Sequence, residues 1–305
     1  EPTSRDPLAQ GGRGSIYQVR LRRMLSPDLV LGVTYLLKVS REKLSESAGK
    51  SMESHLDELH KRLQTEANFF PSRLALPIAI VERGENYVGY LMREFNDGCY
   101  FEKQFTYGGT ELARQELKVF LNSHSERVQL GVPNINTRRK VLIASEVFNT
   151  LALLHEKGLV VGDLSGSNLI LQNKKSKTSA LRVIFLDVDS FSYRSGRESM
   201  GHESTLHWRT PEELQNPGLP ATKASDVYKA ALLVRRLFHQ ERDSGSNSYD
   251  IYKSKISNAV LSELGGPALA ALISRAINVK VEARPYATEL AFHFRELANV
   301  LSEKS

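Results

Sequence analysis

The sequence predicts an α+β protein in two parts: a small antiparallel sheet with one main helix over residues 1–95, and a larger, mainly helical part over residues 96–305. Strand-like runs crowd the first 95 residues, and long amphipathic helical patterns dominate after residue 136. Between them, Asn96, Asp97 and Gly98 supply a turn-rich link. At 305 residues the chain is long enough to bury two separate cores.

Residues 8–19, LAQGGRGSIYQV, read as strand, tight glycine turn and strand. Gly11, Gly12 and Gly14 permit positive φ and let backbone N–H groups approach an anion without a Cβ in the way. Residues 33–39, VTYLLKV, form a strand pattern with one charge, Lys38, inside it. Such a lysine either snorkels from an edge strand or points toward phosphate oxygens. Met52, Leu56, Leu59, Leu63 and Phe70 then recur at steps of 4, 3, 4 and 7, an amphipathic helical stripe. Glu66 falls on the same stripe, where a carboxylate needs a partner because an unpaired buried charge is costly. Lys38 on the adjacent strand is the expected partner; the alternative is a Glu66 that sits in water at a frayed helix end, since Pro71 follows closely. Residues 75–81 and 87–95 supply two further strands, joined by the turn ERGEN.

Residues 96–136 are the least patterned stretch, with one helical piece expected near residues 111–121. Residues 137–156 carry a wide apolar helical face and lead into VVGDLSGSNLIL at 160–171. There Asp163 and Asn168 stand five positions apart between two apolar stretches, and Asp187 and Asp189 follow the apolar run VIFL. These groups suit phosphoryl transfer: a carboxylate to take the proton of an attacking hydroxyl, and hard oxygen donors that Mg²⁺ or Mn²⁺ prefers. Acidic residues at strand ends otherwise form turns or cap helices. Two apart in a regular strand, Asp187 and Asp189 would face one side, so Asp189 is expected to join the metal-holding set. Residues 226–238, DVYKAALLVRRLF, are apolar around most of the circumference, the mark of a helix in a core. Leu290, Phe294, Leu297 and Leu301 form a final amphipathic stripe.

Composition narrows the function classes. Apolar content of 41% and charged content of 25% are ordinary for a globular protein. The net charge of +6 is spread along the chain and gives no specific nucleic-acid signal; a polyanionic nucleotide accounts for it equally well. Cys99 is the sole cysteine, which excludes an internal disulfide and a multi-cysteine metal site. No stretch reaches membrane-spanning length and no signal peptide is legible, so a cytoplasmic location is expected.

Taken in order, these landmarks resemble the eukaryotic-type protein kinase fold over nearly the whole chain. Ala9-x-Gly11-x-x-Gly14 with Ile16 stands where that family has its glycine-rich loop, Lys38 where it has the strand lysine, and Glu66 where it has the helix partner. Met92 and Glu94 fall where the hinge to adenine would be. Asp163 and Asn168 match the catalytic loop, and Asp187 matches the metal-binding Asp. HWRTPE at 207–212 resembles the segment that closes the activation region, and Asp226-Val227-Tyr228 the start of the buried central helix. Arg284 resembles the late arginine that pairs with the equivalent of Glu212, and Thr205 stands where Ser/Thr kinases carry a threonine bonded to the catalytic Asp.

The resemblance implies a bilobal protein-kinase-like fold that uses ATP and Mg²⁺ or Mn²⁺. Asp163, Lys38 and Glu66 would be catalytic. Gly11, Gly12, Gly14, Ile16, Lys38, Met92 and Glu94 would bind the nucleotide, and Asn168, Asp187 and Asp189 the metal. The partner would be a protein substrate, or a protein that the chain regulates.

The departures bear on function. The family's His-Arg-Asp reads Val161-Gly162-Asp163, its lysine two after the Asp is Ser165, and its Asp-Phe-Gly is Asp187-Val188-Asp189. The pattern is also similar to small-molecule phosphotransferases of the aminoglycoside and choline kinase type, although those lack the TPE-like segment and the later Arg-Pro. LDVDSF further resembles a bacterial kinase branch with an Asp-x-Asp-Ser-Phe signature. Three functions stay open: an active Ser/Thr protein kinase, which leads; a pseudokinase serving as a nucleotide-binding or scaffolding module; and a small-molecule phosphotransferase.

Overall fold

The computed structural model describes residues 6–10, 14–22, 29–40, 46–63, 69–84, 86–95, 98–105, 108–173, 181–193, 205–239 and 259–303. The chain forms two compact units, Glu1–Asn96 and Asp97–Ser305.

The first unit is built on an antiparallel sheet of β1 (Ala9–Gln10), β2 (Gly14–Arg20), β3 (Thr34–Ser40), β4 (Pro77–Arg83) and β5 (Asn86–Arg93), in the order β1-β2-β3-β5-β4. One long helix, α1 (Glu46–Leu63), separates β3 from β4. Its stripe of Met52, Leu56, Leu59 and Leu63 is buried as the spacing predicts. Phe70 is buried too, but in a separate 3₁₀ turn, Phe70–Ser72, and not on the described helix. Val19, Leu29, Tyr35 and Leu91 form a buried apolar cluster on the sheet. Strands β3 and β5 approach so closely that a Cβ at Gly89 would lie 1.9 Å from the Lys38 carbonyl oxygen, so glycine is required there.

The second unit opens with a hairpin, β6 (Tyr100–Gln104) and β7 (Thr110–Arg114), followed by the short helices α2 (Leu117–Phe120) and α3 (His124–Gln129). This corrects the expected helix near residues 111–121, of which only Leu117–Phe120 is helical. Gly108 and Gly109 adopt φ of 84° and 96° and turn the chain back, and Lys103 pairs with Glu111 directly across the ladder at 3.0 Å.

Helix α4 (Thr137–Glu156) starts where the Asn136 side chain caps the Arg139 N–H, and buries Val141, Ile143, Ala144, Val147, Phe148, Leu151 and Leu154. Two short antiparallel pairs follow: β8 (Leu159–Val160) with β11 (Ser192–Tyr193), and β9 (Leu169–Gln172) with β10 (Arg182–Phe185). The rest is helical: α5 (Pro211–Gln215), α6 (Lys223–His239), α7 (Ala259–Ala276, kinked at Gly266) and α8 (Ala287–Glu303). Helix α8 lies against α4, where the Phe148 and Phe294 rings stack 5.5 Å apart.

The α+β class predicted from the sequence is therefore observed: a small antiparallel sheet with one main helix, then a larger, mainly helical unit, consistent with protein-kinase-like topology. Among the described residues no helix is long and apolar enough to cross a membrane.

Candidate functional site

The loop between β8 and β9 carries Asp163 and Asn168. Its apolar members Val161 and Leu164 are buried on either side of Asp163, which fixes the course of the backbone. The stronger restraint comes from α6. Asp226, fully buried in the first turn of that helix, accepts from the Val161 N–H at 2.8 Å and the Gly162 N–H at 2.9 Å, and lies 3.0 Å from His155 Nε2. A carboxylate suits a helix N-terminus, and here it also satisfies backbone donors of a buried loop. Gly162 takes φ of 77°, a left-handed conformation that glycine adopts without strain.

Both oxygens of Asp163 are engaged. Oδ1 accepts from the backbone N–H and the hydroxyl of Thr205, each at 3.1 Å. Oδ2 accepts from Asn168 Nδ2 at 3.1 Å, and the same amide nitrogen donates to the Asp163 carbonyl at 2.8 Å. These bonds fix the rotation of the Asn168 amide and use only its nitrogen, so its oxygen remains a donor atom for a cation. Thr205, placed by the resemblance beside the catalytic Asp, is on Asp163.

The β9–β10 ladder brings Asp187 alongside. Leu169 pairs with Phe185, and the Leu186 N–H donates to the Asn168 carbonyl at 2.8 Å, one residue before Asp187. Asp187 has φ of 53° and is the one non-glycine residue with positive φ among those described. Such a conformation is uncommon outside glycine, although Asp tolerates it better than most. Ser190 holds the turn by donating its N–H and hydroxyl to the Asp187 carbonyl at 2.9 and 2.7 Å.

The chain leaves β10 at Phe185 and runs into a 3₁₀ turn, Val188–Ser190. The strand alternation expected to align Asp189 with Asp187 is therefore absent, since a 3₁₀ turn eclipses residues three apart and not two. Among the described residues no group of three or more His, Cys, Asp or Glu side chains is placed to hold a metal ion. Asn168 and Asp187, brought near each other by the Leu186–Asn168 backbone bond, would offer one amide oxygen and one carboxylate. Two hard oxygens fit Mg²⁺, which keeps several waters and takes further ligands from substrate phosphates.

The segment that supplies Thr205 is pinned to α6. The Arg236 guanidinium lies 4.3 Å from the Trp208 ring and donates to the His207 carbonyl at 3.0 Å. Thr210 and Glu213 form a reciprocal capping box that starts α5, with Pro211 in its first turn. Arg284 grips Glu212 with two bonds of 2.7 Å, while its Nε donates to the Asn278 carbonyl at 3.0 Å and its plane lies 4.8 Å from the Tyr228 ring.

Burial works to raise the Glu212 carboxyl, but the Arg284 hydrogen bonds, a bond from the backbone and the Arg284 charge together outweigh it and hold the group below its ordinary 4.5. Burial pushes the Tyr228 hydroxyl up, with Arg284 opposing and Glu212 adding. Because the folded pKa of Glu212 is depressed, its contribution to stability is fully present above the unfolded value and is lost as pH falls through the folded one. Arg284→Met is expected to destabilise the fold by about 2 kcal/mol at neutral pH. The difference from the native chain should shrink below pH 4.5 in thermal melts. A difference that widens on acidification would contradict this assignment.

In the first unit, Lys38 is buried in β3 between Ile16 of β2 and Tyr90 of β5, its ammonium 5.6 Å from the Tyr90 ring. A Cβ at Gly14 would lie 2.4 Å from the Val39 carbonyl, so this glycine is demanded by strand approach in addition to any role toward an anion. Met92 is buried, opposite Leu36 and Pro77, and Glu94 accepts from Gln18 Nε2 at 2.8 Å. Gly11, Gly12 and Glu66 lie outside the described residues, and with them the expected Lys38–Glu66 pair.

Two residues at the loop escaped the sequence reading. Lys229 of α6 is fully buried and donates to the Gly162 carbonyl at 2.7 Å and to Glu213 Oε1 at 2.8 Å. Its signal was a lysine inside an apolar helix, three residues after Asp226. Glu213 was hidden beside Glu212. The sequence matches no model of a known protein family.

Proposed function

We propose that the chain is an ATP-dependent protein kinase that transfers the γ-phosphoryl group to Ser or Thr hydroxyls, with Asp163 as the base. The observation that carries this reading is the arrangement on Asp163: Thr205 holds one carboxylate oxygen, Asn168 the other, and α6 clamps the backbone just before it. Orientation by neutral donors leaves the carboxylate able to accept a proton. The hydroxyl oxygen of the substrate attacks the γ-phosphorus, its proton passes to Asp163, the bond from the γ-phosphorus to the bridging oxygen breaks, and ADP leaves.

Asn168 and Asp187 would hold Mg²⁺ or Mn²⁺, with Asp189 proposed as a further carboxylate adding negative charge near the ion. When bound, the ion neutralises charge on the phosphate oxygens. Lys38, with Glu66 as its proposed partner, would serve the phosphates; Gly11, Gly12, Gly14, Ile16, Met92 and Glu94 would contact the rest of the nucleotide. Thr205 on Asp163 supports an aliphatic hydroxyl substrate over tyrosine.

One observation favours a second reading, a nucleotide-binding pseudokinase. Ser165 is fully buried with its hydroxyl unpartnered, so position 165 supplies no cation for a transferred phosphate. The readings separate in one experiment: a thermal shift with ATP and Mg²⁺, then label transfer from γ-labelled ATP to the chain itself, to a generic protein, and to a sugar and an amino alcohol. The kinase reading expects a shift and label on Ser and Thr. A shift without transfer supports the pseudokinase, and label on a sugar or amino alcohol makes the chain a small-molecule phosphotransferase.

A further inference from the structure

Asp226 and Lys229 sit three residues apart on α6, hence on one face, and both are fully buried. They hold opposite ends of the same residue: Asp226 takes the Gly162 N–H, and Lys229 donates to the Gly162 carbonyl. The residue so gripped immediately precedes Asp163. Lys229 has a second arm, to Glu213 Oε1, while Glu213 Oε2 accepts from the Thr210 N–H at 2.8 Å. Thr210 closes the segment that begins at Thr205, whose N–H and hydroxyl hold Asp163. One buried lysine thus bonds directly to the loop carrying Asp163 and, through Glu213, to the segment carrying Thr205.

A buried ion pair of this kind is weak support for stability, since apolar side chains of similar volume do as well or better. What it supplies is fixed geometry between the two stretches that meet on the carboxylate. We propose that Lys229, neutralised by Glu213, is a positioning residue that sets the register of the Asp163 loop against the Thr205 segment. The anion of this tie is a side chain of the protein itself, so the register is established on folding and needs no added phosphate. The proposal rests on the kinase reading for what the register serves, but the tie itself can be tested without it.

The test uses Lys229→Met combined with Glu213→Gln, which removes both charges and keeps the volumes, and Glu213→Gln alone as the milder change. Three quantities are measured: kcat and KM for ATP in the transfer reaction, melting temperature, and backbone hydrogen exchange over residues 159–168, 205–213 and 137–156. The double variant is expected to fold, to lose about 30-fold in kcat with KM for ATP within about twofold, and to exchange faster in the loop and the segment together while 137–156 is unchanged. Retained kcat per folded molecule, or exchange that quickens evenly through the second unit, overturns the proposal. If the double variant does not fold, exchange in Glu213→Gln decides: faster in both stretches supports the tie, and unchanged exchange overturns it. If the native chain transfers no phosphate, the kinase reading falls, and the exchange data still decide the tie.

Discussion

Replacing Asp163 by Asn is expected to lower phosphoryl transfer by about 10³-fold, the scale of a lost general base. The amide keeps the shape of the side chain but not its pattern of acceptors. Oδ1 now accepts two bonds from Thr205, and Oδ2 accepts one from Asn168. An amide offers oxygen on one side only, so its nitrogen must face either the Thr205 N–H or the Asn168 amide nitrogen, donor against donor. Because Asp163 is partly exposed, the melting temperature should change little. The readouts are kcat with saturating ATP and a thermal melt. A variant that melts normally and keeps more than about a tenth of the native rate would remove Asp163 from the role of base.

Asp226→Ala should act through the fold instead. The carboxylate is wholly buried and serves the Val161 and Gly162 N–H groups and the His155 ring. Truncation leaves these donors in the interior without their acceptor, at a cost of about 3–5 kcal/mol. That is a large part of the 5–15 kcal/mol that holds a typical domain together. The expected result is a lower urea midpoint and loss of transfer together, with Asp226→Asn intermediate because one oxygen remains. Native stability with selective loss of transfer would show that the loop does not depend on α6 for its anchoring.

What could be read in advance follows from the physics of each signal. Helix α4 was legible to the residue because its apolar face is wide. The resemblance set Thr205 beside Asp163 and the spacing set Asn168 near it; both hydrogen-bond to Asp163, and their part in phosphoryl transfer is as proposed. The β6–β7 hairpin was not legible, because its strands lack a run of alternating apolar residues: Leu112 is exposed, and Glu102, Lys103 and Glu111 are charged. The alignment of Asp189 failed for a different reason. Periodicity presumes a strand that continues, and nothing in DVDS announces that the backbone turns left-handed at Asp187. Lys229 escaped because a helix judged by its apolar circumference conceals one charged member whose partners lie 16 and 67 positions away.

Arg284 closes on Glu212 across 72 positions, and Phe294 of α8 stacks on Phe148 of α4. During synthesis, then, the proposed base is made long before the side chains that immobilise it. At about 5–20 residues per second, a ribosome would expose Asp163 on a loose loop until α6 emerges, and Glu212 would lack its partner until Arg284 has followed. A nascent chain, or one cut short before α6 begins at Lys223, would carry the proposed base, amide and carboxylate without the α6 bonds that anchor their loop. The fixed geometry around Asp163 would arrive only with α6, which makes translation itself a delay on the proposed chemistry.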